Sequence, residues 1–274
     1  METSLLDLIS FFPHAIISSI ITGLILSISG LFLHVRRSLF LGAAMPHLAG
    51  LGYVAAEVIS VPGWLGAIIF LAVGSFVMAM RTPESKNPLT AEAMISVGYV
   101  IAIAGTLLIL VFSNAEAHAA TLLLSGSVLT ITPFKTLILG LIGIPLTVGL
   151  ILFRRNLLFV ALDSEAASAA GFNPRAIEGL VYLVIGVSII LTLEATGAMA
   201  SFAFLLFPGL IALNLCKKVS TLFICAPITG IISGGAGILA SLAFDLPAGP
   251  AMVSVLVALW LISMIAQTRF LKLV

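Results

Sequence analysis

Charge is what this sequence has least of. Twelve Lys and Arg stand against eleven Asp and Glu among 274 residues, 8% in all, where soluble domains carry about a quarter. With 61% hydrophobic residues and a mean hydropathy of +1.28, this excludes a soluble globule. The formal net charge of +1 leaves no basic face to track a phosphate backbone, so nucleic acid is excluded as a partner. Cysteine is nearly absent too: Cys216 and Cys225 are too few for a disulfide framework. Both lie near Lys217 and Lys218, on a side expected to face a reducing cytoplasm, and read as packing residues. The alternating apolar and polar pattern of strands is missing as well, which argues against an outer-membrane barrel.

What is present is long apolar stretches. A bilayer core takes ~20 apolar residues per helix, and nine such stretches run over 13–34, 39–61, 64–80, 91–113, 134–153, 176–195, 197–216, 220–242 and 249–267. The expected fold is all-α: a polytopic helical membrane protein of about nine spans, eight to ten, forming a single transmembrane domain over 1–274. The stretch 197–216 contains Gly197, Pro208 and Gly209, so it reads either as one span or as two half-helices. Glu2 and Asp7 precede the first stretch where a cleavable signal carries positive charge, so that stretch is expected to remain in place.

Orientation follows from the basic residues. If nine spans alternate, Arg36, Arg37, Arg81, Lys86, Arg154, Arg155, Arg175, Lys217, Lys218, Arg269 and Lys272 fall on one side, and Lys135 alone on the other. The positive-inside rule makes the first side the cytoplasm, with the N-terminus outside and the C-terminus inside. The segment Ala119 to Thr130 is too short to cross and too apolar for a free loop, and is expected as a short outer helix.

The longest inner loop, 154–175, reads as an interfacial helix followed by a restart. Asp163 or Ser164 caps the Ala-rich run, Gly171 suits the left-handed position that ends a helix, and Asn173 caps a new helix with Pro174 in its first turn. A separately capped helix between two spans is either a docking element or an ordinary hairpin on the membrane surface.

Several segments resemble, in order, the permease subunits of ATP-binding-cassette importers for divalent metals, the manganese, zinc and iron branch. RRSLFLGAAMPHLAGLG is similar to the stretch after the first span of these permeases, TAEAMISVGYVIAIAGTLLI to their fourth span, and LLLSGSVLTIT to their outer short helix. DSEAASAAGFNP resembles the coupling helix that meets the ATPase, GAMASFAFLLFPGLIAL a Gly and Leu-Leu-x-x-Pro segment, and DLPAGPAMV the start of the last span. The resemblance implies a bacterial-type inner-membrane permease working as a dimer with a second copy or a paralogue. Its implied partners are a pair of cassette ATPase subunits and an extracytoplasmic metal-binding protein. No Gly-x-x-x-x-Gly-Lys-Ser/Thr loop is present, so such a chain is a conduit and not an enzyme: ATP is used by the partner, the metal ion is substrate, and no cofactor is bound. Ser164, Glu165, Gly171 and Arg175 are the implied ATPase-coupling residues. The Gly230 and Gly234 pair, spaced at four, suits close helix approach.

Ionisable groups inside spans cost ~2.5–3.5 kcal/mol on insertion scales and so mark candidates. His47 occupies the family's metal-contacting histidine position, and neutral imidazole is a good ligand for such ions. Four residues earlier the family carries Asp where this chain has Ala43. Pro46 lacks an N–H and frees the Gly42 carbonyl beside His47, a weaker oxygen donor than a carboxylate. The lost carboxylate also fits a softer or pre-chelated substrate, with Met45 and Met199 as soft neighbours, or an Asp supplied by a different permease in a heterodimer. Glu57 and Glu194, at outer span ends, either line a vestibule that attracts divalent ions or are simply solvated. Glu92 and Glu178 near inner ends reach interfacial water, and Glu116 with His118 meets either a binding protein or metal. Two alternatives of other classes remain: an ion-coupled secondary transporter is expected to carry charged midplane sites in paired halves, and neither is visible here, while a purely structural membrane subunit has no reason for the long capped loop 154–175.

Overall fold

The computed structural model describes residues 11–81, 88–112, 126, 128 and 131–271, with the side chains of 75–92 and 269–271 set aside. Among the described residues it contains ten α-helices and no strand. They are α1 (Pro13–Val35), α2 (Leu39–Val58), α3 (Gly63–Arg81), α4 (Pro88–Phe112), α5 (Pro133–Leu152), α6 (Arg154–Leu162), α7 (Ser164–Ala169), α8 (Pro174–Leu215), α9 (Val219–Phe244) and α10 (Ala248–Leu271). Most of the short outer segment 119–130, together with Glu116, His118 and the side chain of Glu92, lies outside the described residues.

Seven helices are long and apolar enough to cross a bilayer, and α3, at 19 residues, spans ~28 Å by length. The 42-residue α8 is two spans. Its Gly197 has φ 75° and ψ 169°, outside helical geometry. The neighbours of α1 show what happens there. Ser29 donates to Ser188 on one side of the break, while Gly30 abuts the backbone of Leu205 on the other. In a straight helix residues 188 and 205 lie ~25 Å apart. They meet adjacent residues of α1, so the chain doubles back at Gly197 into two antiparallel arms. Of the two readings of 197–216, the single span holds: it is one arm, with Pro208 inside it, and the break comes at Gly197, between the stretches 176–195 and 197–216. About nine crossings result.

The core is α1. In its most apolar stretch 72% of residues are buried, against 22% in α4. Close approach comes from glycine, as the Gly230 and Gly234 spacing suggests. A Cβ on Gly230 would sit 2.2 Å from the Gly23 carbonyl oxygen, and one on Gly234 2.3 Å from that of Ser19, so α9 and α1 touch backbone to backbone. A second such contact joins α2 to α3, where a Cβ on Gly52 would meet the Gly66 carbonyl oxygen at 2.2 Å. Buried hydroxyls return their protons to their own helix: Ser19 to Ala15, Ser188 to Val184, Thr192 to Ser188, Thr196 to Thr192. This satisfies polar groups where no water does. The Ser18–Thr136 hydroxyl pair, at 2.9 Å, ties α1 to α5.

Candidate functional site

Helix α2 runs unbroken across Pro46, and because proline has no N–H the Gly42 carbonyl receives no bond from the residue four ahead. One residue on, His47 Nδ1 donates to the Ala43 carbonyl at 2.9 Å. A carbonyl only accepts, so the proton is on Nδ1 and the lone pair of the neutral ring is on Nε2, the atom suited to a cation. The ring stands edge-on to Tyr99 of α4, centroids 4.9 Å apart. Tyr99 escaped notice in the sequence, though a phenol in an apolar span is itself a signal. Ala43 is buried. Met45 is fully buried with its methyl against Gly186 of α8, which makes it a core residue, while Met199 is exposed.

At the far end of α2 the other two candidates flank Tyr53. The Tyr53 hydroxyl donates to Glu194 Oε1 at 3.0 Å, and Lys135 at the start of α5 is ion-paired with Glu194 Oε2. Glu57 Oε1 accepts from the Gly63 backbone N–H at 3.2 Å, a carboxylate at the N-terminus of α3 where the helix dipole favours negative charge. Gly63 is required there, because a Cβ would sit 2.6 Å from the Tyr53 ring. Glu57 and Glu194 are therefore brought together through Tyr53. His47 and Gly42 form a separate region: ten residues along α2 separate Glu57 from His47, ~15 Å. Among the described residues no three His, Cys, Asp or Glu side chains converge as a metal cluster. Lys135, which breaks the charge pattern of the sequence, is the partner that sequence reasoning did not assign to Glu194.

The loop 154–175 is built as its caps suggest. Asp163 Oδ1 accepts from the Ala166 N–H at 2.9 Å to start α7. Its end is a Schellman closure, with Gly171 donating to Ser168 and Phe172 to Ala167, each at 3.0 Å, and Gly171 at φ 89°. Asn173 Oδ1 then accepts from Ala176, and Pro174 opens α8. Ser164, Glu165, Gly171 and Arg175 are all exposed. Ala167 is fully buried, and Phe159 of α6 meets Phe172 edge-on at 6.1 Å. Beside them Arg36, the residue that caps the end of α1, pairs with Glu178 of α8 at 2.5 Å, in a recess shared with Leu157 and Val160 of α6. Glu178, expected to reach interfacial water, is held by this partner. The loop is thus a capped projection seated on the ends of α1 and α8.

A model of the ABC 3 transport family matches residues 9–267. The chain is 26% identical over 253 residues to the manganese transport system membrane protein MntC of Halalkalibacterium halodurans, covering 90% of this chain and 84% of that protein. It is 23% identical over 262 residues to the chelated iron transport system membrane protein YfeD of Yersinia pestis, covering 93% and 85%. Among solved structures, PsaBC from Streptococcus pneumoniae in complex with Fab matches with a TM-score of 0.86 at 19% identity, covering 98% of both chains. That likeness is one of fold.

Proposed function

The chain belongs to the ABC 3 transport family, and on that premise we propose that it is the permease subunit of an ATP-binding-cassette importer carrying a divalent metal ion, manganese, zinc or iron, across a bacterial inner membrane. Relatives named for manganese and iron transport support the cargo class. The observation that carries the reading is the set tautomer of His47: its bond to Ala43 leaves Nε2 as a cation ligand within an otherwise apolar span.

In this reading the ion arrives from an extracytoplasmic binding protein at the Tyr53, Glu57 and Glu194 end. The carboxylates attract it, and it passes along α2 to His47 with the Gly42 carbonyl as an oxygen donor. A second copy or paralogue packs against α4, the least buried span, so that two His47–Tyr99 pairs face a common path. A pair of cassette ATPases docks on the 164–171 projection, with Ser164, Glu165, Gly171 and Arg175 at the contact, and ATP hydrolysis there tilts the spans. The basic end is the cytoplasmic one, with the N-terminus outside and the C-terminus inside. Ala43, where the family carries Asp, favours a second reading in which the cargo is soft or already chelated, as the name of the YfeD relative suggests for its own system.

The test is uptake of manganese, zinc, iron and chelated iron by cells with and without the gene. Loss of one metal ion's uptake on deletion, restored by the wild type and not by His47→Ala, supports the reading. Unchanged metal uptake throughout overturns it.

A further inference from the structure

Covalent continuity joins the loop 154–175 to α5 and α8, whose ends it links. Helix α1 is joined to it by side chains, at two places one turn apart. At the first, the Arg154 guanidinium at the start of α6 lies 5.9 Å over the Phe223 ring of α9, a cation–π distance. Phe223 stands edge-on to Phe32 of α1, centroids 5.7 Å apart, and both rings are buried. At the second, Arg36 pairs with Glu178 near the start of α8, each side chain about a quarter exposed. Phe32 and Arg36 share a face of α1, and both border the recess that takes Leu157 and Val160 of α6. That recess encloses about 10 Å³, no more room than a single water takes, so α6 is packed solid against the last turn of α1. Arg36 is also fixed from its own side. There α1 ends in a Schellman closure, Arg37 donating to His34 at 3.1 Å and Ser38 to Leu33 at 3.0 Å, with Arg37 at φ 55°.

We infer that the Arg36–Glu178 ion pair, backed by the Arg154–Phe223–Phe32 stack, is the link that passes movement of the 164–171 projection to α1, with Arg36 and Glu178 as positioning residues. The inference rests on the proposed role of 154–175 as the ATPase contact. Apolar contact is non-directional and lets helices slide past one another. A charge-assisted hydrogen bond has a required distance and direction, so the pair makes the end of α1 follow the start of α8. Helix α1 is where such movement has most effect. It touches the backbone of α9 at Gly23 and that of the second arm of α8 at Gly30, and its Ser29 bonds Ser188 on the first arm. A shift of its inner end therefore reaches α9 and both arms of α8 at once.

The experiment uses the full chain with its ATPase partner and binding protein in proteoliposomes, and reads metal ions carried per ATP hydrolysed for manganese, zinc and ferrous iron in turn. Removing one partner strands a part-buried charge, so the informative variant is Arg36→Ala with Glu178→Ala. It is expected to stay folded and bound to its ATPase, to keep its basal ATP hydrolysis, and to carry about tenfold fewer ions per ATP. Charge exchange, Arg36→Glu with Glu178→Arg, should return the ratio to within about threefold of wild type. Arg155→Gln, an exposed charge on α6, should leave the ratio unchanged. A role in stability alone lowers the yield of folded protein and leaves the ratio of the remainder at the wild-type value, and that result overturns the inference. A charge exchange no better than the double alanine variant also overturns it. If the double alanine variant does not fold, Glu178→Asp, one methylene shorter with the same charge, reads the same ratio: a fall of about threefold supports the link and no change overturns it. Pulsed EPR gives a reading independent of the cargo, from labels at the exposed Ile17 of α1 and Ser168 of α7 in a Cys216→Ser, Cys225→Ser background. That distance should move by less than about 2 Å between nucleotide-free and vanadate-trapped wild type, and by more in the double alanine variant; equal movement in both overturns the link. Gly171→Val separates the two layers of the argument. If it keeps the ATPase bound and the ratio unchanged, the docking role of 154–175 has failed. If it releases the ATPase while the double alanine variant carries ions as wild type does, that role stands and the α1 link alone falls.

Discussion

Lys135 and Glu194 form an ion pair across 59 residues of sequence, joining the first turn of α5 to the turn of α8 just before its reversal at Gly197. The pair accounts for the lone basic residue that falls on the side opposite the other eleven. Tyr53 donates to the second oxygen of the same carboxylate, so α2, α5 and α8 are tied together at the end where we place entry of the ion.

Breaking that pair is expected to cost little stability and to be reversible by charge exchange. Lys135→Glu or Glu194→Lys alone leaves two like charges facing. The double exchange should restore melting temperature, with a coupling energy of about 0.2–1 kcal/mol, the range for part-exposed pairs. A double-mutant cycle on the solubilised protein measures it. No recovery in the double variant means that the contact is not an ion pair in solution.

His47→Ala is expected to reduce metal uptake sharply while the protein remains inserted and folded. Ala43→Asp should restore a carboxylate one turn from the imidazole, since His47 already bonds the residue 43 carbonyl. Uptake competition between manganese and zinc should then shift toward manganese, the harder ion. The two variants are read together by radiometal uptake and by membrane expression. Normal uptake in His47→Ala makes His47 a packing residue.

Gly171→Val should separate the permease from its ATPase. The φ of 89° is strained for a β-branched residue by about 1–3 kcal/mol. A Cβ at that position meets nothing within 4 Å, so the penalty is wholly conformational. Gly171→Asn, which tolerates left-handed geometry, should keep co-purification largely intact. Equal behaviour of the two variants would count against the helix-ending role.

Gly230→Leu is expected to abolish folded protein, because its Cβ is 2.2 Å from the Gly23 carbonyl oxygen. Gly235→Ala, whose Cβ finds Ile20 at an ordinary 3.6 Å, should change stability by about 0.5 kcal/mol or less. Thermal unfolding in detergent separates the two, and a stable Gly230→Leu protein would contradict the α1–α9 contact.

In a Cys216→Ser, Cys225→Ser background, single cysteines at Ser220 and Asn87 should be labelled only from the cytoplasm, and one at Asn114 only from outside. Ser38 is a poorer reporter, since its hydroxyl is buried. External labelling of Asn87→Cys would falsify the nine-span orientation.

Interactions within a few residues were legible from the chain alone. Span lengths follow from bilayer thickness, and the limits of α7 and the start of α8 follow from Asp163, Gly171 and Asn173, whose cap partners lie three residues away or fewer. The tight Gly230 and Gly234 face showed in its spacing of four. Tertiary structure alone decided which helix meets that face, that Gly197 reverses the chain, that Glu194 belongs to Lys135 and Tyr53, and that Tyr99 stands at His47. The physical reason is the solvent. In water an apolar stripe marks the buried side of a helix, but lipid is as apolar as a protein core, so α4, with 22% of its most apolar stretch buried, has a sequence no less hydrophobic than α1, with 72% buried. Side-chain pairs separated by 59 or 141 residues leave no periodic trace, and only the packed bundle brings them together.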